Sequence, residues 1–80
     1  MRGYMGLADI RELLGISSPT LHRRIKEFPI LLKPIMYEGR SPRFSAIQIQ
    51  IFLSHLEGQL TIEQANREWQ DCIPSTHSPL

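Results

Sequence analysis

Apolar positions recur at helical spacing in four stretches of this chain, and a β-leaning stretch rich in turn residues separates the second from the third. Leu7, Ile10, Leu13 and Leu14 stand at i, i+3, i+6 and i+7, which predicts a first helix over Leu7–Leu14. Gly15 follows, where a glycine ends a helix by turning left-handed. A tight turn carrying Ile16 then leads to a second helix. Ser18 is its expected cap, and Pro19 suits the first helical position, where a missing N–H costs no hydrogen bond. This helix should run to Glu27 and stop at Phe28-Pro29, because a residue before proline avoids the helical region. Leu21 and Ile25 share one face, continued by Phe28, and leave Thr20, His22, Arg23, Arg24 and Lys26 to the others.

Ile30 to Tyr37 is apolar and β-leaning, and Pro34 restricts it to an edge strand. Glu38-Gly39-Arg40-Ser41-Pro42 reads as a turn in which Gly39 takes positive φ, and Arg43-Phe44 as the returning strand. Leu31–Phe44 is thus expected to be a short two-stranded hairpin. A third helix is predicted from Ser45, whose spacing to Gln48 has the capping-box form, with Ile47, Ile51, Phe52 and Leu56 as its apolar face. The alternation Ile47-Gln48-Ile49-Gln50-Ile51 also fits a strand; the cap and the continuation to Glu57-Gly58 favour a helix. Thr61 and Gln64 repeat the cap ahead of a last helix striped by Ile62, Ala65, Trp69 and Ile73. Residues 74–80 have no periodicity and read as a flexible tail. The expected fold is mostly α: two short helices, a small hairpin and two further helices, in one domain over residues 1–73.

Length and composition narrow the function. Eighty residues, 41% of them hydrophobic, provide one modest core and no room for a buried catalytic cavity. Cys72 is the single cysteine, so no internal disulfide forms, which suits a reducing cytosol. The first residues lack a secretory apolar run, and no stretch nears the roughly 18 apolar residues of a membrane span. A cytoplasmic protein without membrane contact is expected. His22, His55 and His77 lack metal-ligand spacing with Cys72, the five glycines are dispersed, and Ser17, Ser18, Ser41 and Ser45 have roles as caps or turn residues. No metal, cofactor or enzymatic activity is therefore expected.

Charge changes the picture more. The net +1 conceals a middle segment, residues 18–44, with Arg23, Arg24, Lys26, Lys33, Arg40 and Arg43 against Glu27 and Glu38. Residues 45–80 carry Arg67 against Glu57, Glu63, Glu68 and Asp71, so the chain is basic in the middle and acidic toward its end. Two helices joined by a tight turn form a helix-turn-helix, whose second helix presents its exposed residues to the major groove of DNA. Arg23 and Arg24 suit guanine or phosphate, since a guanidinium meets two acceptors at once. Thr20 is placed to touch a base or a phosphate and His22, on the surface, a phosphate, and Ser17 and Ser18 flank the positive end of the helix. Lys26 and Lys33 add phosphate contacts, while Arg40, Ser41 and Arg43 bracket a hairpin tip that would act as a wing.

Leu7-Ala8-Asp9-Ile10-Arg11-Glu12-Leu13-Leu14-Gly15-Ile16-Ser17, Pro19-Thr20-Leu21-His22-Arg23, Phe28-Pro29 and Gly39-Arg40-Ser41-Pro42-Arg43-Phe44-Ser45 carry a resemblance. The stretch from Leu7 to Leu56 resembles the winged helix-turn-helix of AlpA and excisionase-type phage and plasmid proteins and of MerR regulators. Gly58-Gln59-Leu60-Thr61-Ile62-Glu63-Gln64-Ala65 is similar to the segment that follows in MerR proteins. Arg11 departs from the small residue these families keep there, and the chain stops where a MerR effector domain would begin. The resemblance implies sequence-specific binding of double-stranded DNA by a small regulator or recombination directionality factor, with no small-molecule effector. Trp69 has two readings: a core residue, or part of a stripe through which copies self-associate on DNA. Two other classes stay open, a DNA-packaging adaptor like the small terminase subunits of phage and a pure protein-interaction module.

Overall fold

In the computed structural model, which describes residues 3–72, the elements run β1 (Tyr4–Met5), α1 (Leu7–Leu14), α2 (Ser18–Glu27), β2 (Met36–Glu38), β3 (Ser41–Ser45), α3 (Ala46–Leu56) and α4 (Ile62–Cys72). The fold is mostly helical, with a three-stranded antiparallel sheet ordered β1-β3-β2. Among the described residues no helix is long and apolar enough to cross a membrane.

α1 starts where the Asp9 carboxylate accepts the Gly6 backbone N–H at 3.1 Å. It ends at Gly15, whose φ of 68° and ψ of 36° let its N–H reach the Arg11 carbonyl at 2.7 Å. Ile10 is buried and Leu7 and Leu14 are half-buried, but Leu13 is 52% exposed. Six residues on from Leu7 lies about 240° around a helix, off the buried face. Arg11 is exposed, so its bulk displaces nothing.

Ser17, not Ser18, caps α2. Its hydroxyl oxygen accepts the Thr20 N–H at 3.4 Å, and Ser18 and Pro19 are the first two helical residues. A cap is the residue just before the first helical one and accepts the N–H two or three residues on, and with α2 starting at Ser18 that residue is Ser17. Ser17→Ala is expected to lower stability by about 1 kcal/mol, with Ser18→Ala within about 0.5 kcal/mol of the parent. Denaturant midpoints of the two variants check the assignment.

The hairpin is shorter than the expected Leu31–Phe44. Its strands are confined to Met36–Glu38 and Ser41–Ser45, paired as Met36↔Arg43, Tyr37↔Pro42 and Glu38↔Ser41 around Gly39 at φ 65°. Leu31 and Leu32 are instead core residues in the connection from α2, buried at 0% and 2% exposure. β1, which the sequence reading lacked, occupies the other edge of β3 through Tyr4↔Ser45 and Met5↔Phe44.

The core gathers Ile10, Leu21, Leu31, Leu32, Phe44, Ile49, Ile51, Phe52, Ala65 and Trp69. Phe28 packs edge-on against Phe52, ring centroids 5.2 Å apart. The face of α3 corrects the expected one: Ile47 and Leu56 are exposed, while Gln48 and Ile49 are fully buried beside Ile51 and Phe52. The expected cap holds, with Ser45 accepting the Ile47 N–H and Gln48 Oε1 accepting the Ser45 N–H at 2.9 Å. Gln48 Nε2 then donates to the carbonyls of Leu31 at 2.8 Å and Lys33 at 2.7 Å. One side chain thereby ties the connection after α2 to the start of α3.

α4 starts with the predicted reciprocal cap, Gln64 N–H to Thr61 Oγ1 at 3.1 Å and Thr61 N–H to Gln64 Oε1 at 2.9 Å. Ala65 and Trp69 are buried, so Trp69 is a core residue; Ile73 and the tail at 74–80 lie outside the described residues. His55 is half-buried. Its Nδ1 lies 2.9 Å from the Leu60 carbonyl and its ring meets Phe28 edge-on, which holds the turn between α3 and α4.

Candidate functional site

The outward face of α2 follows from its packing. Leu21, Ile25 and Phe28 turn toward the core, so Pro19, His22, Arg23 and Lys26, at i, i+3, i+4 and i+7, line the opposite side and are exposed. This stripe holds two permanent cations and no carboxylate. Neither Arg23 nor Lys26 is ion-paired to a described residue. His22 Nδ1 sits 2.9 Å from the Ser18 carbonyl, one turn back along the helix. At the start of the helix the Ser17 hydroxyl donates to Thr20 Oγ1 at 3.0 Å, so both hydroxyls serve each other before any ligand.

The remaining candidates divide by partner. Arg24 Nη1 meets Glu27 Oε1 at 3.0 Å, one turn on. Arg43 reaches across the hairpin, its Nη2 at 2.7 Å and its Nε at 3.0 Å from Glu38 Oε1. That pair is diagonal across β2 and β3 on the face away from Phe44. The Arg43 guanidinium also lies over the start of α1: a Cβ added at Gly6 would come within 2.5 Å of its Nη1. Arg43 therefore lies between the hairpin and the start of α1 rather than at the tip. Arg40 and Ser41 do stand there, both exposed, and Arg40 is unpaired among the described residues. Lys33 has an exposed side chain on a backbone that Gln48 pins through its carbonyl.

Of six basic candidates, then, Arg23, Lys26, Lys33 and Arg40 are unpaired among the described residues, and Arg24 and Arg43 face carboxylates. Both ion pairs are partly solvated, and such pairs are worth between about 0 and 1 kcal/mol, so they restrain these arginines weakly.

Sequence reasoning missed three features. Gln48 is the largest, because its amide partners are 15 and 17 residues away. Tyr37 is the second: at 62% exposure it is the most exposed of the large hydrophobic residues. The third is a groove of about 430 Å³ between the connection after α2 and α4, lined by Pro29, Ile30, Lys33, Ile35 and the edge of Trp69. Among the described residues, no three His, Cys, Asp or Glu side chains gather as a metal site would require. No protein-family model matches the chain, and neither a curated protein nor a solved structure does.

Proposed function

We propose that the chain is a winged helix-turn-helix protein that binds double-stranded DNA sequence-specifically, as a small transcriptional regulator or an excisionase-like recombination directionality factor. The observation that carries this reading is the outward stripe of α2, in which His22, Arg23 and Lys26 are exposed and, among the described residues, free of carboxylate partners. α1 precedes α2 by a turn of Gly15, Ile16 and Ser17, and a hairpin with Arg40 at its tip follows. A helix approaching the major groove side-on needs such a stripe, because each cation displaces a condensed counterion and an arginine fork meets guanine bidentately.

In this reading α2 enters the major groove and the β2–β3 hairpin is the wing. Lys26, Lys33 and Arg40 neutralise phosphates, Arg23 reads a base, and Ser17, Ser18, Thr20, His22 and Ser41 supply further polar contacts. Arg24 and Arg43 join only by leaving Glu27 and Glu38. The chain works by binding alone, in the cytoplasm, without catalysis or an effector. The acidic exterior of α4, with Glu63, Glu68 and Asp71 exposed, repels the polyanion and so orients the encounter.

Mobility shift and footprinting on the DNA around the protein's own gene, with salt titration, test the reading: protected sites that survive competitor duplex are expected. Arg40→Ala should weaken binding whatever bases α2 meets in the major groove and reduce the slope of log K against log salt by about 0.9. A second reading, an assembly adaptor of the small-terminase kind, draws on the groove beside Trp69. It is favoured if multi-subunit rings form, or if a second protein binds tightly where no operator is found.

A further inference from the structure

The hairpin carries a largely exposed aromatic ring, that of Tyr37. On β3, Pro42 and Phe44 point to the same face of the sheet; Phe44 is fully buried, while Pro42, nearer the tip, is only half-buried. Tyr37 pairs with Pro42 and so shares that face, yet it is 62% exposed. The hairpin therefore overhangs the core, with its base anchored by Phe44 and its outer half projecting past the body. Tyr37 lies on the inner side of that overhang, and the turn beyond it bears Arg40, whose charge is unpaired among the described residues. Nothing on the opposite face competes for the ring: Met36, Glu38 and Arg43 line the other side of the hairpin.

We infer that Tyr37 is a specificity-determining residue of the wing, laying its ring against the deoxyriboses of a minor groove that Arg40 enters. This rests on the proposed DNA binding and deepens it. The chemistry needs both residues. A guanidinium is drawn to the enhanced negative potential of a narrow A·T-rich groove. Once there, the groove walls are sugar carbons, and an apolar ring beside the cation covers them and excludes water. A polar residue at position 37 would leave the sugars wet, and a ring without the arginine would have nothing to draw it in. The wing thereby reads groove shape, where α2 reads base edges.

The test uses the full chain and two duplexes of equal length, one carrying an A-tract and one G·C throughout, titrated over a range of salt. The parent protein should prefer the A-tract. Tyr37→Ala should lose about tenfold affinity for it, the effect of uncovering part of one aromatic ring. The salt slope should not change, because no charge is removed. Tyr37→Phe should bind as the parent does. Unaltered thermal melting shows that the loss is not one of folding, as expected for an exposed side chain. Equal binding by Tyr37→Ala and the parent, or a slope that falls with the affinity, overturns this inference and leaves DNA binding standing. Absence of duplex binding by the parent at low salt overturns both.

Discussion

Replacing Gln48 by leucine is expected to lower the free energy of unfolding by about 2–4 kcal/mol. The side chain is fully buried, and leucine fills similar space, so the loss comes from hydrogen bonds rather than from a cavity. Three backbone groups lose their partner: the carbonyls of Leu31 and Lys33 and the N–H of Ser45. A buried polar group without a partner costs about 1–3 kcal/mol, and the partly buried groups recover some of that from water. At about 4–8 °C per kcal/mol for a domain this small, the melting temperature should fall by roughly 8–32 °C. Circular dichroism melts of the parent and of Gln48→Leu read this directly, and a fall of under about 4 °C would mean that the clamp is dispensable. The clamp also fixes the backbone of Lys33 and one wall of the groove beside Trp69.

Arg23→Ala should do the reverse, leaving stability within about 0.5 kcal/mol while weakening DNA binding. Its side chain is exposed and makes no ion pair with a described residue, so the folded protein loses little without it. A bidentate contact to guanine contributes about 1–3 kcal/mol of discrimination, so affinity for the preferred site should fall roughly fivefold to 150-fold. The fall should be confined to one or two base pairs, with duplexes altered there bound by Arg23→Ala and the parent alike. Titrations over duplexes changed one pair at a time measure this. A uniform loss across all variants would assign Arg23 to phosphate instead.

The contrast between these two residues also shows what the chain discloses as a string. α1, α2 and α4 are legible because local chemistry sets their ends: Gly15 in a left-handed conformation, Pro19 early in α2, and the Thr61–Gln64 cap. The outward stripe of α2 follows from the same periodicity, so Arg23 and Lys26 could be named from spacing alone. Gln48 was half legible. Its oxygen acts three residues from Ser45, as the capping pattern predicts, whereas its nitrogen acts on carbonyls brought near only by the tertiary fold. α3 is apolar nearly all round, so periodicity could not choose between Ile47, which is exposed, and Ile49, which is buried. β1 is two residues long and exists because β3 has a free edge, which no alternation within Tyr4-Met5 announces. Arg43 and Glu38 read as surface charges until the register of β2 on β3 sets them on one face, within 2.7 Å of each other.

In the proposed function the cations of α2, of the connection after it and of the hairpin tip, unpaired among the described residues, grip one duplex together. The salt dependence of duplex affinity for the unsubstituted chain measures this. With Lys26, Lys33 and Arg40 on phosphates, log K should fall against log salt with a slope of about −3, and removing Arg40 should bring the slope to about −2. A slope near zero, or no binding to any duplex at low salt, would contradict it.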